Sequence, residues 1–184
     1  SMTLLAFGIS HSTASLEIRE QVAFAPEEMA RALKDALVSA RLREVAILST
    51  CNRTEIYAQG QVGVERGGQE GSLQEGSLQE GLLQWLAQYH SLSLAELVSC
   101  HYCHEGDAAI RHMMQVACGL DSLVLGEPQI LGQMKSAYTV ADQAGTIGGR
   151  LHGAFHQVFS IAKRVRTETA IGENPVSVAY AAVS

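Results

Sequence analysis

The feature that most constrains the fold is a pair of short apolar segments joined by a polar heptad. The first segment is Val45-Ala46-Ile47-Leu48, the heptad runs from Ser49 to Glu55, and the second segment is Glu55-Ile56-Tyr57-Ala58. Apolar runs of this length between polar residues are typical of buried strands. Strands this close in sequence pair antiparallel, so the heptad is expected on their connection or at its rim.

Further elements flank this pair in an order that indicates a fold class. Leu4–Ile9 predicts a buried strand, Pro26 opens an amphipathic helix, Leu82–Tyr89 predicts a second helix, and Cys100–His104 predicts a fourth strand. The order strand, helix, strand, strand, helix, strand is the split βαβ pattern of a ferredoxin-like sandwich. We therefore expect an α+β fold over residues 1–150, followed by helices leading into a long connecting helix.

Two stretches predict an irregular or interrupted chain. Gln69–Leu82 contains three copies of a glycine-bearing five-residue unit, which predicts a surface loop. Residues 151–184 begin with a long helical pattern and end in a new apolar helix that is cut off at Ser184. These residues are therefore expected to be the start of the connecting helix and a truncated lead into a further domain of a longer protein.

Charge and composition limit the function classes. The 13 Lys and Arg against 19 Asp and Glu give a net charge of −6, which argues against a nucleic-acid binder held by general electrostatics. The one dense basic segment, Lys163–Arg166, is expected to be a solvated helix face. No apolar run approaches the roughly 20 residues of a membrane span, and four cysteines without an export signal predict free thiols in the cytoplasm.

The heptad contains a candidate nucleophile, Cys51. A lone cysteine is more often a small buried apolar residue, but the neighbours here are ones that a core would not contain. Arg53 supplies positive charge, Ser49 and Thr50 supply hydroxyls, and Asn52 is a turn residue able to present backbone N–H groups. These neighbouring residues favour a reactive thiol at Cys51.

A metal-binding alternative rests on Cys100, His101, Cys103 and His104. Their residue types suit zinc, but a single Cys-x-x-Cys with adjacent histidines is only half of a structural zinc site. We therefore favour structural thiols and imidazoles on alternating faces of a strand, and we expect no metal.

Several motifs together resemble glutamyl-tRNA reductase. They are Gly8–His11, Ser49–Glu55, Gly119–Gln133 and Ala162–Thr169, in the same order along the chain. The resemblance implies a catalytic domain followed by the start of a long connecting helix. It also implies the family's activity, in which NADPH reduces glutamyl-tRNA to glutamate-1-semialdehyde, the first committed step of tetrapyrrole synthesis.

The resemblance assigns roles to residues of this sequence. Cys51 is implied to attack the aminoacyl ester and to hold the glutamyl group as a thioester, while Arg53 is the expected partner of the substrate γ-carboxylate. His112 occupies a position important for activity in the family, either to orient the substrate or to assist proton transfer. The remaining implied substrate-binding residues are Thr50, Asn52, Ser122, Glu127, Pro128, Gln129 and Gln133.

The resemblance also implies partners. NADPH would be bound by a further domain, the full-length protein would be a homodimer, and haem or protein regulators and glutamate-1-semialdehyde aminomutase would be additional partners. A fragment without the cofactor domain could at most form and hydrolyse the thioester. The competing hypotheses are a non-catalytic ferredoxin-like interaction domain and a metal-binding regulatory module built on residues 100–104.

Overall fold

The computed structural model describes residues 3–61, 75–121 and 128–169 of the chain. Within these ranges there are four strands, seven helices and one short 3-10 turn. The strands are β1 (Leu4–Ser10), β2 (Leu42–Ser49), β3 (Arg53–Gln61) and β4 (Tyr102–Glu105). The helices are α1 (Leu16–Val22), α2 (Met29–Ser39), α3 (Glu75–His90), α4 (Leu94–Cys100), α5 (Asp107–Ala117), α6 (Ile130–Gln143) and α7 (Gly149–Thr169), and the 3-10 turn is Pro26–Glu28.

The strands form one antiparallel sheet in the order β2-β3-β1-β4. Strand β3 lies between β1 and β2, so the first βαβ unit is split by the returning strand. The register places Ser10 opposite Arg53 and Leu4 opposite Gln59. This topology confirms the expected α+β fold of ferredoxin-like type.

The sheet is covered on both faces by helices. All seven residues of β1 are buried, and successive side chains of a strand point to opposite faces. Helices α2 and α6 contact β2, α5 and α3 contact β1, and α7 contacts β3. Aromatic pairs add to this packing: Phe24, in the segment after α1, stacks on Trp85 of α3, and Tyr57 of β3 meets Phe155 of α7 edge-on.

Two local predictions are wrong. The stretch over residues 75–82 is helical instead of a loop, because Leu78, Leu82 and Leu86 recur every four residues and are buried on one face of α3. The prediction for residues 69–74 lies outside the described residues. Cys100 belongs to the end of α4 and not to the fourth strand, which begins at Tyr102.

Helix α7 is attached to the sheet through its first turn. The buried carboxylate of Glu44, on β2, accepts hydrogen bonds from the N–H groups of Gly148 at 2.5 Å and Leu151 at 3.0 Å. A negative charge at a helix N-terminus accepts hydrogen bonds from the free N–H groups and interacts favourably with the positive end of the helix dipole. Among the residues that the structure describes, no helix combines the length and apolarity needed to cross a bilayer.

Candidate functional site

Cys51 lies on the tight turn between β2 and β3, with its side chain exposed. The turn is closed by a hydrogen bond of 2.8 Å from the N–H of Thr50 to the carbonyl of Arg53. The hydroxyl oxygen of Thr50 also accepts the N–H groups of Asn52 at 3.1 Å and Arg53 at 3.2 Å. The predicted position of Cys51 at the rim of the two strands is confirmed, although Arg53 is already the first residue of β3.

Neighbouring elements hold the same turn from the outside. The N–H of His11, just after β1, donates to the carbonyl of Asn52 at 2.9 Å, and Arg19 of α1 donates to the carbonyl of Cys51 at 3.4 Å. The N–H of Asn52 itself is bonded to Thr50, and the prediction that this turn presents backbone N–H groups to a ligand stays a prediction. The turn is therefore held by several hydrogen bonds, while the Cys51 side chain is exposed.

The other three cysteines have environments that suppress thiolate formation. Burial, and then the charge of Glu105, raise the pKa of Cys103 to about 12. Burial also raises the pKa of Cys100 and of Cys118. Because the thiolate is the reactive form, these thiols are poor nucleophiles at neutral pH.

Brief alkylation should therefore discriminate among the four thiols. After a short treatment with iodoacetamide at pH 7, we expect Cys51 to be labelled before Cys100, Cys103 and Cys118. Peptide mass spectrometry over a time course measures the order, and a sample unfolded in urea, in which all four thiols react, is the control. Labelling of Cys103 or Cys118 ahead of Cys51 would contradict the described burial.

Directly after the turn, a buried ionic network lies under the site. The guanidinium of Arg53, whose side chain is 1% exposed, donates through Nη1 to Glu55 at 2.9 Å and to Asp121 at 3.0 Å. Its Nη2 also donates to the backbone carbonyl of Asp121. Glu55 is fully buried, whereas the Asp121 side chain is 40% exposed. Arg53 therefore has one inner and one outer carboxylate partner.

Glu55 is the centre of this network. Its carboxylate accepts hydrogen bonds from His112 at 2.6 Å and from Tyr57 at 2.6 Å, besides those from Arg53 and Tyr102. Burial alone raises the pKa of Glu55, but the hydrogen bond from His112 and the positive charges nearby outweigh it and lower that pKa to about 2. In turn, although burial opposes it, the charge of Glu55 raises the pKa of Arg53.

Room for the network depends on Gly8 of β1. A Cβ atom at this position would lie 2.6 Å from the Tyr102 hydroxyl oxygen and 3.0 Å from a side-chain carbon of Glu55. Real Cβ atoms essentially never show the first of these contacts, and the second is tighter than most, so a side chain at this position would displace Tyr102 from Glu55. This gives a physical reason for glycine in the Gly8–His11 segment.

His112 lies on α5, buried beside the network. Its Nε2 contacts Glu55, and its ring stacks on His104 with 4.4 Å between centroids. Within the described residues, the His112 side chain is hydrogen-bonded to Glu55, and no hydrogen bond joins it to the Cys51 turn. Its predicted part in substrate orientation or proton transfer stays a prediction.

The second block of predicted residues is described only in part. Ser122 and Glu127 lie outside the described residues. Pro128 and Gln129 are exposed just before α6, and Gln133 is exposed on its first turn. The N–H of Gln133 donates to the carbonyl of Gln129 at 3.0 Å, which places both amides on one side of the helix start.

Sequence reasoning gave no role to four residues of the network: Glu55, Tyr57, Tyr102 and Asp121. One signal for them was available. Glu55 is an acid directly before the apolar residues Ile56, Tyr57 and Ala58 of β3, and a buried carboxylate requires partners. The identity of those partners depends on contacts between β3, β4 and α5 that the sequence pattern does not specify.

The four residues of the metal-binding alternative do not converge. The Cys100 thiol donates to the carbonyl of Glu96 at 3.1 Å, His101 is bonded to Val98 and Gln79, and His104 stacks on His112. In the described ranges, the one converging group of three His, Cys, Asp or Glu side chains is Glu55, His112 and Asp121. The guanidinium of Arg53 already bonds to both carboxylates of that group.

Fold and site together define a ferredoxin-like α+β domain that carries an exposed thiol on a hairpin turn above a buried Arg–Glu–His network. The sequence matches, over residues 7–169, the family model described as the N-terminal domain of glutamyl-tRNAGlu reductase. The chain belongs to this family, as the resemblance of its motifs predicted.

Individual relatives give the same result. The chain is 60% identical over 183 residues to glutamyl-tRNA reductase of Saccharophagus degradans and 59% identical to that of Teredinibacter turnerae, covering 100% of this chain and 40% of each relative. It also matches the structure of glutamyl-tRNA reductase from Methanopyrus kandleri with a TM-score of 0.70 and 30% identity, covering 98% of this chain and 38% of that one. The chain thus spans about two fifths of the length of its relatives.

Proposed function

We propose that this domain carries out the acyl-transfer half of glutamyl-tRNA reduction. In this step the Cys51 sulfur attacks the carbonyl carbon of the glutamyl ester. A sulfur–carbon bond forms, the ester carbon–oxygen bond breaks, and the thiol proton ends on the departing tRNA hydroxyl. The observation that carries the proposal is the exposed Cys51 on a hydrogen-bonded turn, whereas the other three thiols are buried or half-buried and have raised pKa values.

Arg53 is proposed to bind the substrate γ-carboxylate by exchange. Its guanidinium is already paired, so a substrate carboxylate must replace one of its partners. Glu55 is fully buried and is held by four donors, whereas the Asp121 side chain is 40% exposed and has one salt bridge. Displacement of Asp121 is therefore the less costly exchange, and a carboxylate is the group that restores charge balance.

Other residues are proposed to support this arrangement. The hydroxyl of Thr50 keeps the turn closed, and the carbonyl of Asn52 ties it to β1. His112 is proposed to act through Glu55, which it contacts directly, by keeping Arg53 in place. The remaining proposed substrate-binding residues are Ser122, Glu127, Pro128, Gln129 and Gln133.

NADPH would supply the hydride that converts a thioester to an aldehyde. Dinucleotides bind at the carboxyl ends of parallel strands beside a glycine-rich turn. The sheet described here is antiparallel throughout, so the described residues do not fit this cofactor. The proposal for this chain is therefore limited to acyl transfer, and the dimer, regulators and aminomutase stay predictions for the longer protein.

A trapping experiment tests the proposal. The protein is mixed with tRNA charged with radiolabelled glutamate, quenched in acid and digested, and we expect label on the peptide that contains Cys51. A thioester should lose this label on treatment with hydroxylamine. Glutaminyl-tRNA is the matched control, because its neutral γ-amide cannot replace the Asp121 carboxylate at Arg53, and much less label is expected from it.

The competing hypothesis of a non-catalytic interaction domain gives the opposite result. In that case no peptide carries label, and the glutamyl-tRNA loses its glutamyl group no faster than in a sample without protein. Label on Cys100, Cys103 or Cys118 instead of Cys51 would also contradict the proposal.

A further inference from the structure

A second cluster of chemically active side chains lies where α6 meets α7. It consists of Tyr138 on α6 with His152 and His156 on α7. The hydroxyl oxygen of Tyr138 lies 2.5 Å from Nδ1 of His152 and 3.4 Å from Nε2 of His156. Both histidines are exposed, and none of these residues takes part in the Arg53–Glu55 network.

Helical spacing explains why the two imidazoles meet. Residues four apart lie one above the other on a helix face, and here the ring centroids are 4.3 Å apart. Two ring nitrogens are aimed at one hydroxyl oxygen. Because a hydroxyl has a single proton, it can donate to only one of the two nitrogens. The other nitrogen directs either a lone pair or its own proton at the same oxygen atom.

From this convergence we propose that His152, His156 and Tyr138 form a site for a divalent late transition metal such as Zn²⁺ or Cu²⁺. Imidazole suits both ions, and the bonds to nitrogen and oxygen are about 2.0–2.1 Å long. Donor atoms of a tetrahedral site with such bonds lie about 3.3 Å apart. The separation of 3.4 Å between Tyr138 and His156 already matches this edge.

The edge between Tyr138 and His152 has to lengthen on metal binding. The His152 nitrogen must move back from 2.5 Å to the same spacing, and its ring is exposed and can rotate. On binding, the phenol proton and any proton on a coordinating nitrogen leave to solvent, so that the three protein ligands and one water complete four-coordination.

Metal binding is the direct test. With all accessible thiols first blocked by iodoacetamide, so that Cys51 cannot bind metal, calorimetric titration with zinc chloride or copper chloride should show one ion per chain. His152→Asn and His156→Asn should each weaken binding by at least about tenfold, and the double variant should abolish it. His101→Asn, which changes a histidine bonded to Gln79 and Val98, should bind like the unchanged protein.

Two outcomes would overturn the site. One is the absence of saturable binding to the thiol-blocked protein, and the other is stoichiometric binding that survives in the double variant. Circular dichroism and thermal unfolding without metal check that the variants fold. We expect them to fold, because His152 and His156 are exposed. A visible phenolate-to-copper absorption band that disappears in Tyr138→Phe is expected, and its absence from the copper-loaded protein would remove Tyr138 from the ligand set.

Discussion

Replacing Cys51 by serine is expected to abolish transfer of the glutamyl group to the protein, with a loss on the order of 10³-fold or more. The serine hydroxyl would occupy the position of the thiol on the turn, but it is a far weaker nucleophile than a thiolate. The turn itself should be unchanged, because its hydrogen bonds involve backbone groups and the Thr50 hydroxyl and not the sulfur. The measurement is acid-stable radiolabel on the protein after mixing with charged tRNA.

Cys103→Ser is the matched control for this loss. It removes a half-buried thiol with a raised pKa on β4, and it should form the adduct at a rate close to that of the unchanged protein. Equal labelling of the Cys51→Ser variant and the unchanged protein would contradict the nucleophile assignment. Equal loss in both variants would instead indicate damage to the fold, which thermal unfolding would reveal.

The topology of this domain was predictable from sequence because its strands are short apolar segments with polar boundaries. Strand β1 and the β2–β3 pair are apolar runs bounded by polar residues, and that order allows few antiparallel arrangements. The boundary errors have a local cause. Glycine-rich repeats resemble a loop, but in residues 75–82 the leucine spacing, supported by packing against the sheet, outweighs the low helix propensity of glycine.

The exposed thiol was predictable for a similar reason, whereas the network beneath it was not. Polar residues on both sides of Cys51 indicate a turn, and a turn exposes its side chains. The pairing of Arg53 with Asp121, by contrast, joins residues 68 positions apart. No periodicity in either segment indicates such a contact. Its consequence is chemical, because an arginine assigned to a substrate already has carboxylate partners within the protein.

The second large effect concerns Glu55, whose replacement by glutamine is expected to lower the free energy of unfolding by about 3–5 kcal/mol at pH 7. The amide leaves the buried guanidinium of Arg53 without its inner charge partner. Its NH₂ group also replaces one carboxylate oxygen, so that either Tyr57, which donates to Oε1, or Tyr102, which donates to Oε2, loses its acceptor. The lowered pKa of Glu55 agrees in direction, because the same partners stabilise its ionised form. A fall from 4.5 to about 2 corresponds to roughly 3 kcal/mol of stability.

The sign of this pKa shift predicts where the difference disappears. A carboxylate with a depressed folded pKa stabilises the native state fully above its unfolded value of 4.5, and loses that contribution as the pH falls through about 2. Urea unfolding of the unchanged protein and of Glu55→Gln should therefore differ by a constant amount above about pH 5 and converge in stronger acid. Glu20→Gln, at an exposed position on α1, should change stability by less than about 0.5 kcal/mol. A difference of less than about 1 kcal/mol for Glu55→Gln at pH 7, or one that does not shrink in acid, would show that the ionised carboxylate is not the centre of the network.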